Sequence, residues 1–225
     1  MDNSGGMARA LRGAAGRLGP TLHRARRKAF IAQLQASAAL VESTIDVDVH
    51  PSVRLGWPIR FRIAPHTHNV VRVGANGWID DRVEFRVSGG VVEIGDWVEL
   101  RSGCRLMVSG HLTIEGPSVF SWDVGLHCDD RLLIKKWASV SEGATIVDSN
   151  HFHTDPDTWF IDNRDARPTT VGVNTWVAAN AVITTGVTVG DNCLVAANAV
   201  VVDDVPDDHM AVGAPAVCSP RRLRR

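Results

Sequence analysis

The sequence predicts an all-β chain that folds as a parallel β-helix, a hexapeptide solenoid, with a helical appendage at its N-terminus. Two observations predict this. From 171 to 206 the chain divides into six consecutive hexads, whose first residues are Val171, Val177, Ile183, Val189, Val195 and Val201. Their fourth residues are Asn174, Asn180, Gly186, Asn192, Asn198 and Asp204, mostly types that tolerate left-handed backbone angles. A strict period of six reads as a short strand plus a sharp corner. The first residue points into a shared core, and a compact fifth residue (Thr175, Ala181, Val187, Cys193, Ala199, Val205) packs beside it. Three hexads close a triangular coil, and stacked coils pile identical positions into rows. An ordinary sandwich would instead show period two with irregular loops.

The composition agrees with one folded domain. At 225 residues, with 44% hydrophobic residues and a net charge of −1, the chain is neither disordered nor a basic nucleic-acid binder. No apolar run approaches the roughly 18 residues of a membrane span. Residues 1–20 lack the apolar core and small-residue cleavage site of a secretory signal, so the expected location is cytoplasmic. Cys104, Cys128, Cys193 and Cys218 have no metal-type spacing. They read as small, reduced residues, with Cys104, Cys128 and Cys193 at compact fifth positions.

In chain order, residues 1–44 read as a flexible terminus followed by a basic helix. The helix is expected from Thr21 to Val41, with Arg24, Arg26, Arg27 and Lys28 on its first half. It suits either a cap over the open end of the solenoid or a basic surface for an anionic partner, and the cap is preferred because it covers unpaired strand edges. Residues 45–72 read as an irregular β lead-in. The β-helix is expected over 73–206, with hexads beginning at Val73, Ile79 and Phe85. The frame then resumes at Ile94, Leu100, Leu106 and Leu112, runs through Ser118 to Val124, and returns at Ile134, Val140 and Ile146. Trp97 and Trp137 fall at corners. Residues 207–225 form a C-terminal tail. The one long interruption is the loop 152–170, polar and carrying Trp159-Phe160; such a loop in a strict solenoid is usually functional.

Around this loop the residues form a pattern. The run Ile146-Val-Asp-Ser-Asn-His151, the loop, Val171-Gly-Val-Asn-Thr-Trp176-Val-Ala-Ala-Asn-Ala and the ending Val212-Gly-Ala-Pro-Ala216 resemble the hexapeptide-repeat O-acetyltransferases. These include the maltose and galactoside acetyltransferases and many that modify capsule or lipopolysaccharide. The resemblance covers about Ile134 to Ala216. It implies a left-handed β-helix, against the usual crossover preference. It also implies a homotrimer with active sites between subunits, acetyl-CoA as donor and no metal. His151 matches the family's catalytic histidine.

Acetyl transfer from a thioester to a sugar hydroxyl needs a base for the hydroxyl proton, a task that suits an imidazole at neutral pH. His153 is the second candidate, and Asp148 or Asp155 are candidates to orient the ring. On the donor side the resemblance implies that Trp176, Ala179 and Ala197 lie along the coenzyme, the small residues admitting its narrow arm. Val202-Asp203 stands where many relatives carry Thr-Lys, so Arg221 and the arginines after it are either a phosphate clamp or a solvated tail. On the acceptor side His127 and Trp159 are the candidates; a sugar ring would stack on the indole. Two alternatives use the same solenoid: a γ-carbonic-anhydrase-like zinc enzyme built on His127, His151 and His153, and a catalytically silent binding scaffold.

Overall fold

In the computed structural model, residues 20–152, 157, 159 and 163–221 are described. Among the described residues one helix, α1 (Pro20–Ala39), precedes seven triangular coils. The first coil is β1 (Thr44–Val49), β2 (Arg54–Leu55) and β3 (Arg60–Ile63); the second is β4 (His68–Val73), β5 (Trp78–Ile79) and β6 (Glu84–Val87). The third is β7 (Val91–Ile94), β8 (Val98–Leu100) and β9 (Arg105–Val108), and the fourth is β10 (His111–Ile114), β11 (Ser118–Phe120) and β12 (Gly125–Cys128). The fifth, β13 (Arg131–Ile134), β14 (Ser139–Val140) and β15 (Thr145–Val147), is followed by a hairpin of β16 (Ser149–His151) and β17 (Arg164–Ala166). The sixth and seventh are β18 (Thr169–Val171), β19 (Trp176–Val177), β20 (Val182–Ile183), and β21 (Thr188–Val189), β22 (Leu194–Val195), β23 (Val200–Val201). A closing hairpin, β24 (His209–Val212) and β25 (Val217–Pro220), follows.

Every coil contributes its first strand to one parallel sheet, its second to another and its third to a third. Call these the first, second and third sheets. All six leading residues of the hexads from Val171 to Val201 are at most 1% exposed. The corner asparagines Asn174, Asn180, Asn192 and Asn198 have φ between 54° and 59°, and Gly186 has φ 77°. Asp204 is the exception: its backbone is not left-handed, and its Oδ1 instead accepts a hydrogen bond from the Thr188 amide at 2.7 Å. Trp97 and Trp137 do take corner positions, at φ 61° and 64°.

The middle coils depart from the period of six for a definite reason. Ile94 pairs with Ile114 and Ile114 with Ile134, a step of 20 residues, whereas Val171 pairs with Val189, a step of 18. The extra two residues lengthen the strands of the first and third sheets to four residues, so that each points two side chains inward. Leu106 and Val108, and Leu112 and Ile114, are such pairs, all buried. The inward row therefore runs through Ile114, Phe120 and Leu126, in place of the expected Ser118 and Val124. Val124 is a compact corner residue, stacked between Cys104 and Ala144. Cys128 is an inward strand residue of β12, not a fifth-position one.

The stretch 45–72 contains most of the first coil, and β1 pairs with β4 in register from Thr44↔His68 to Val49↔Val73. Its looser sequence reflects a longer step of 24 residues. Over its open end lies α1. Phe30, Leu34 and Ala38, one helical face, are at most 2% exposed. Phe30 meets Phe61 and Phe85 edge-on, at centroid distances of 5.0 and 6.0 Å. Two of the helix's cations are used inward: Arg26 Nη1 donates to the Leu55 carbonyl at 3.0 Å and Arg27 Nη1 to the Val49 carbonyl at 3.1 Å. The helix ends where Glu42 turns to φ 53° and the Ser43 amide reaches back to Ala38, a Schellman-type stop. At the other end β24 pairs with β22, and β25 folds back antiparallel to cover the last coil. No helix is long and apolar enough to cross a membrane, among the described residues.

Candidate active site

The hairpin β16–β17 leaves the solenoid where the third sheet turns toward the first. His151 ends β16, exposed, and pairs across the hairpin with Arg164. Its amide is bonded to Asn150 Oδ1 at 2.9 Å. The hairpin is fixed at its root by Asp148, which is completely buried. The Asp148 carboxylate accepts hydrogen bonds from the Asp129 amide at 2.7 Å and the Asp130 amide at 2.9 Å. Its carbonyl accepts from the Arg167 amide at 2.7 Å and the Thr185 hydroxyl at 2.6 Å. Asp148 thus holds the backbone from which the histidine projects; its carboxylate oxygens are committed to the preceding coil, not to an imidazole.

Beside the hairpin lies an open cleft of about 490 Å³, lined by Arg62, Arg86, Met107, His127, Asp129 and Arg164 among others. Four of these come from one face of the third sheet. Arg62, Arg86, Met107 and His127 are paired in register on β3, β6, β9 and β12, and alternation points them outward while Phe61, Phe85, Leu106 and Leu126 point in. His127 is half-buried, and burial lowers its pKa from the ordinary histidine value; Arg105 and Arg86 push the same way, against Asp129 and Asp148. It is therefore neutral at pH 7.

Asp129 ties the cleft together. Its carboxylate accepts from the Ser109 hydroxyl and from the Ser149 hydroxyl at 2.5 Å, and pairs with Arg164 Nη1 at 3.1 Å. Partial burial works to raise its pKa, but the serine hydrogen bonds and Arg164 outweigh this and hold it below the usual aspartate range. Neither Asp129 nor Arg164 stands out in the sequence. The only signal was Asp129's place in the slip between the fourth and fifth coils.

The other predicted residues are distributed around the prism. Trp176 is half-exposed on the outer face of the second sheet, its Nε1 donating to Ser141 Oγ at 2.9 Å. Ala179 and Ala197 stack at the edge where the second sheet turns to the third, the Asn198 amide bonded to the Ala179 carbonyl at 3.0 Å. Their small side chains leave that main chain approachable by a narrow ligand. Arg221 lies at the opposite edge of the second sheet, donating to the Asn192 carbonyl at 3.1 Å, so within one chain it does not join the two alanines. Trp159 is exposed on the insertion. His153, Asp155 and the arginines after Arg221 lie outside the described residues. The chain thus brings His127 and the His151 hairpin to one cleft and puts Trp176 across the prism from them. Among the described residues, no group of three or more His, Cys, Asp or Glu is placed to hold a metal ion.

Residues 168–203 match the family model of the bacterial transferase hexapeptide, six repeats, so the chain carries that repeat. No curated protein matches the sequence. Among solved structures, the polysialic acid O-acetyltransferase OatWY is similar with a TM-score of 0.61 at 18% identity, over 82% of this chain and 89% of that one. A variant of AntD, an N-acyltransferase from Bacillus cereus solved with dTDP and coenzyme A, is similar with a TM-score of 0.57 at 20% identity, over 67% of this chain and 84% of that one. At these identities the likeness is one of fold.

Proposed function

We propose that this hexapeptide-repeat chain is an acetyl-CoA-dependent O-acetyltransferase acting on a sugar or polysaccharide precursor, with His151 as general base at a subunit interface. One observation carries the reading: among the described residues, the hairpin that interrupts the coils ends its first strand at His151 and pairs it with Arg164, which lines a polar cleft. The fold similarity to OatWY and AntD, and the match to the transferase repeat, support the reaction class.

Acetyl-CoA supplies the activated acyl group as a thioester. The imidazole of His151 takes the acceptor's hydroxyl proton as that oxygen attacks the thioester carbonyl. The carbon–sulfur bond then breaks, and the proton passes to the departing thiolate. His127, neutral and half-buried, is placed to accept or donate one hydrogen bond to the acceptor. Trp176, Ala179 and Ala197 serve the donor. Because Trp176 stands on the second sheet and the two alanines at that sheet's edge with the third, while His151 leaves the edge between the third and first sheets, the complete site is assigned to a junction of two copies, as in a homotrimer.

The test is thiol release from acetyl-CoA with a panel of sugars. His151→Ala is expected to lower kcat/KM by about 10²–10⁴-fold with the fold intact. Activity that survives this change removes His151 from the mechanism. Stoichiometric zinc in the purified protein, with no thiol release for any acceptor, would overturn the transferase reading as a whole.

A further inference from the structure

The third sheet carries a concentration of charge that the acetyl-transfer chemistry does not require. Its two outward rows on the first three coils hold Arg60, Glu84 and Arg105 in one, and Arg62, Arg86 and Met107 in the other. The second row continues to His127, and Arg164 overhangs it from the hairpin. Five arginines therefore face two carboxylates, Glu84 and Asp129, on one side of a chain whose net charge is −1. Both carboxylates are largely buried and already engaged. Glu84 Oε1 takes Arg62 Nε at 3.0 Å and Arg86 Nε at 2.7 Å, and Asp129 takes Arg164. Glu84 orients the two guanidinium groups through Nε, leaving their terminal nitrogens with no protein acceptor among the described residues. An arginine held this way offers two N–H donors in the fork geometry that matches carboxylate and phosphate oxygens. Neighbouring strands lie about 4.8 Å apart, so Arg86 is about 10 Å and Arg62 about 14 Å from His127 along the row. That is the span of a short oligosaccharide.

We infer that the cleft selects an anionic acceptor, a sugar bearing a carboxylate or phosphate, whose acid group is held by Arg86 and Arg62 while its hydroxyl lies near His127 and His151. The inference rests on the transferase reading for the hydroxyl end only; the arginine pair recognises the anion whether or not transfer occurs. The focused positive field also speeds encounter with a charged acceptor and is weakened by salt.

The experiment compares a carboxylated oligosaccharide, a nucleotide-diphosphate sugar and a neutral disaccharide as acceptors. Wild type is set against Arg62→Gln/Arg86→Gln and against the same pair with Glu84→Gln, which avoids leaving a buried carboxylate unpaired. For each protein, kcat/KM is measured by thiol release and binding by calorimetry without acetyl-CoA. One anionic acceptor is expected to exceed the neutral one at least 10-fold in wild type. This ratio should fall at least 10-fold in both variants, chiefly through KM, and shrink in high salt. The preferred acid group separates carboxylate from phosphate. A neutral acceptor used as well as the anionic ones, or a preference unchanged in the triple variant, overturns the inference and leaves the transferase reading standing. If no acceptor supports thiol release, calorimetry alone decides: arginine-dependent binding of an anionic sugar upholds the inference while the transferase reading fails, and its absence overturns both.

Discussion

Asp148 accepts hydrogen bonds from two successive backbone amides while fully buried, so its side chain fixes both the slip between coils and the root of the hairpin. Asp148→Ala leaves two part-buried amides without their acceptors, each costing about 1–3 kcal/mol. Chemical denaturation is expected to show a loss of about 3 kcal/mol, with Asp148→Asn milder because one acceptor oxygen remains. The titrating residues give a pH prediction of definite sign. Glu84 and Asp129 have pKa values depressed in the fold by their arginine and serine partners, against burial. The stability they contribute is full above the ordinary carboxylate pKa, about 4, and is lost as pH falls through their lower folded values. His127 is held neutral, so the unfolded chain takes up its proton first as pH drops below about 6.5, which also favours unfolding. Stability is therefore expected to decline in two stages on acidification. NMR titration of His127 should give a midpoint below 6.5; one above it contradicts the burial argument. The cysteines sit outside this chemistry: burial drives the Cys104 thiol up to about 12 and Cys128 higher still, so both resist thiol reagents in the folded protein.

At the scale of elements, α1 and the closing β24–β25 hairpin solve the same problem at opposite ends. A stacked parallel coil ends in unpaired backbone groups and an open apolar core, both prone to association with another chain. The helix meets both needs, with Phe30, Leu34 and Ala38 filling the core and Arg26 and Arg27 donating to carbonyls of the first coil. Phe30→Ala removes the ring that packs edge-on against Phe61 and Phe85, and is expected to cost about 3–5 kcal/mol by thermal or denaturant unfolding. Arg26→Ala/Arg27→Ala should cost less, about 1–2 kcal/mol, by unmaking two hydrogen bonds at a partly solvated edge. The basic character of this helix thus has a structural use for two of its cations, while Arg24 and Lys28 remain exposed.

At the scale of the whole molecule, the triangular section separates the two halves of the proposed site. His151 leaves the edge between the third and first sheets, and Trp176 stands on the second sheet, opposite that edge. An active centre shared between copies predicts complementation. His151→Ala and Ala179→Trp should each be inactive alone. Co-expressed, they should regain roughly one quarter of wild-type activity, because random assembly pairs the two intact surfaces in that share of interfaces. No recovery from mixed oligomers that are shown to form would place both halves of the site in one chain.

The sequence by itself determined the repeat. Six hexads with fixed corner and core residues admit one stacking, and the corner asparagines and buried valines follow from backbone geometry and burial that each hexad specifies locally. It also singled out His151 as a candidate, through the resemblance of the run Ile146-Val-Asp-Ser-Asn-His151 and the hexads after the loop to the hexapeptide-repeat acetyltransferases. Two things were hidden in it. The 20-residue coils look like failed hexads until strand pairing shows two inward residues per long strand. The alignment of Arg62, Arg86, Met107 and His127 joins residues about twenty positions apart at uneven steps. Only the tertiary structure decided that alignment, since register across a sheet is set by how whole coils stack. The same stacking turned Asp148 from a candidate partner of the histidine into the anchor of its hairpin, because its carboxylate reaches the coil before it sooner than any ring on the surface.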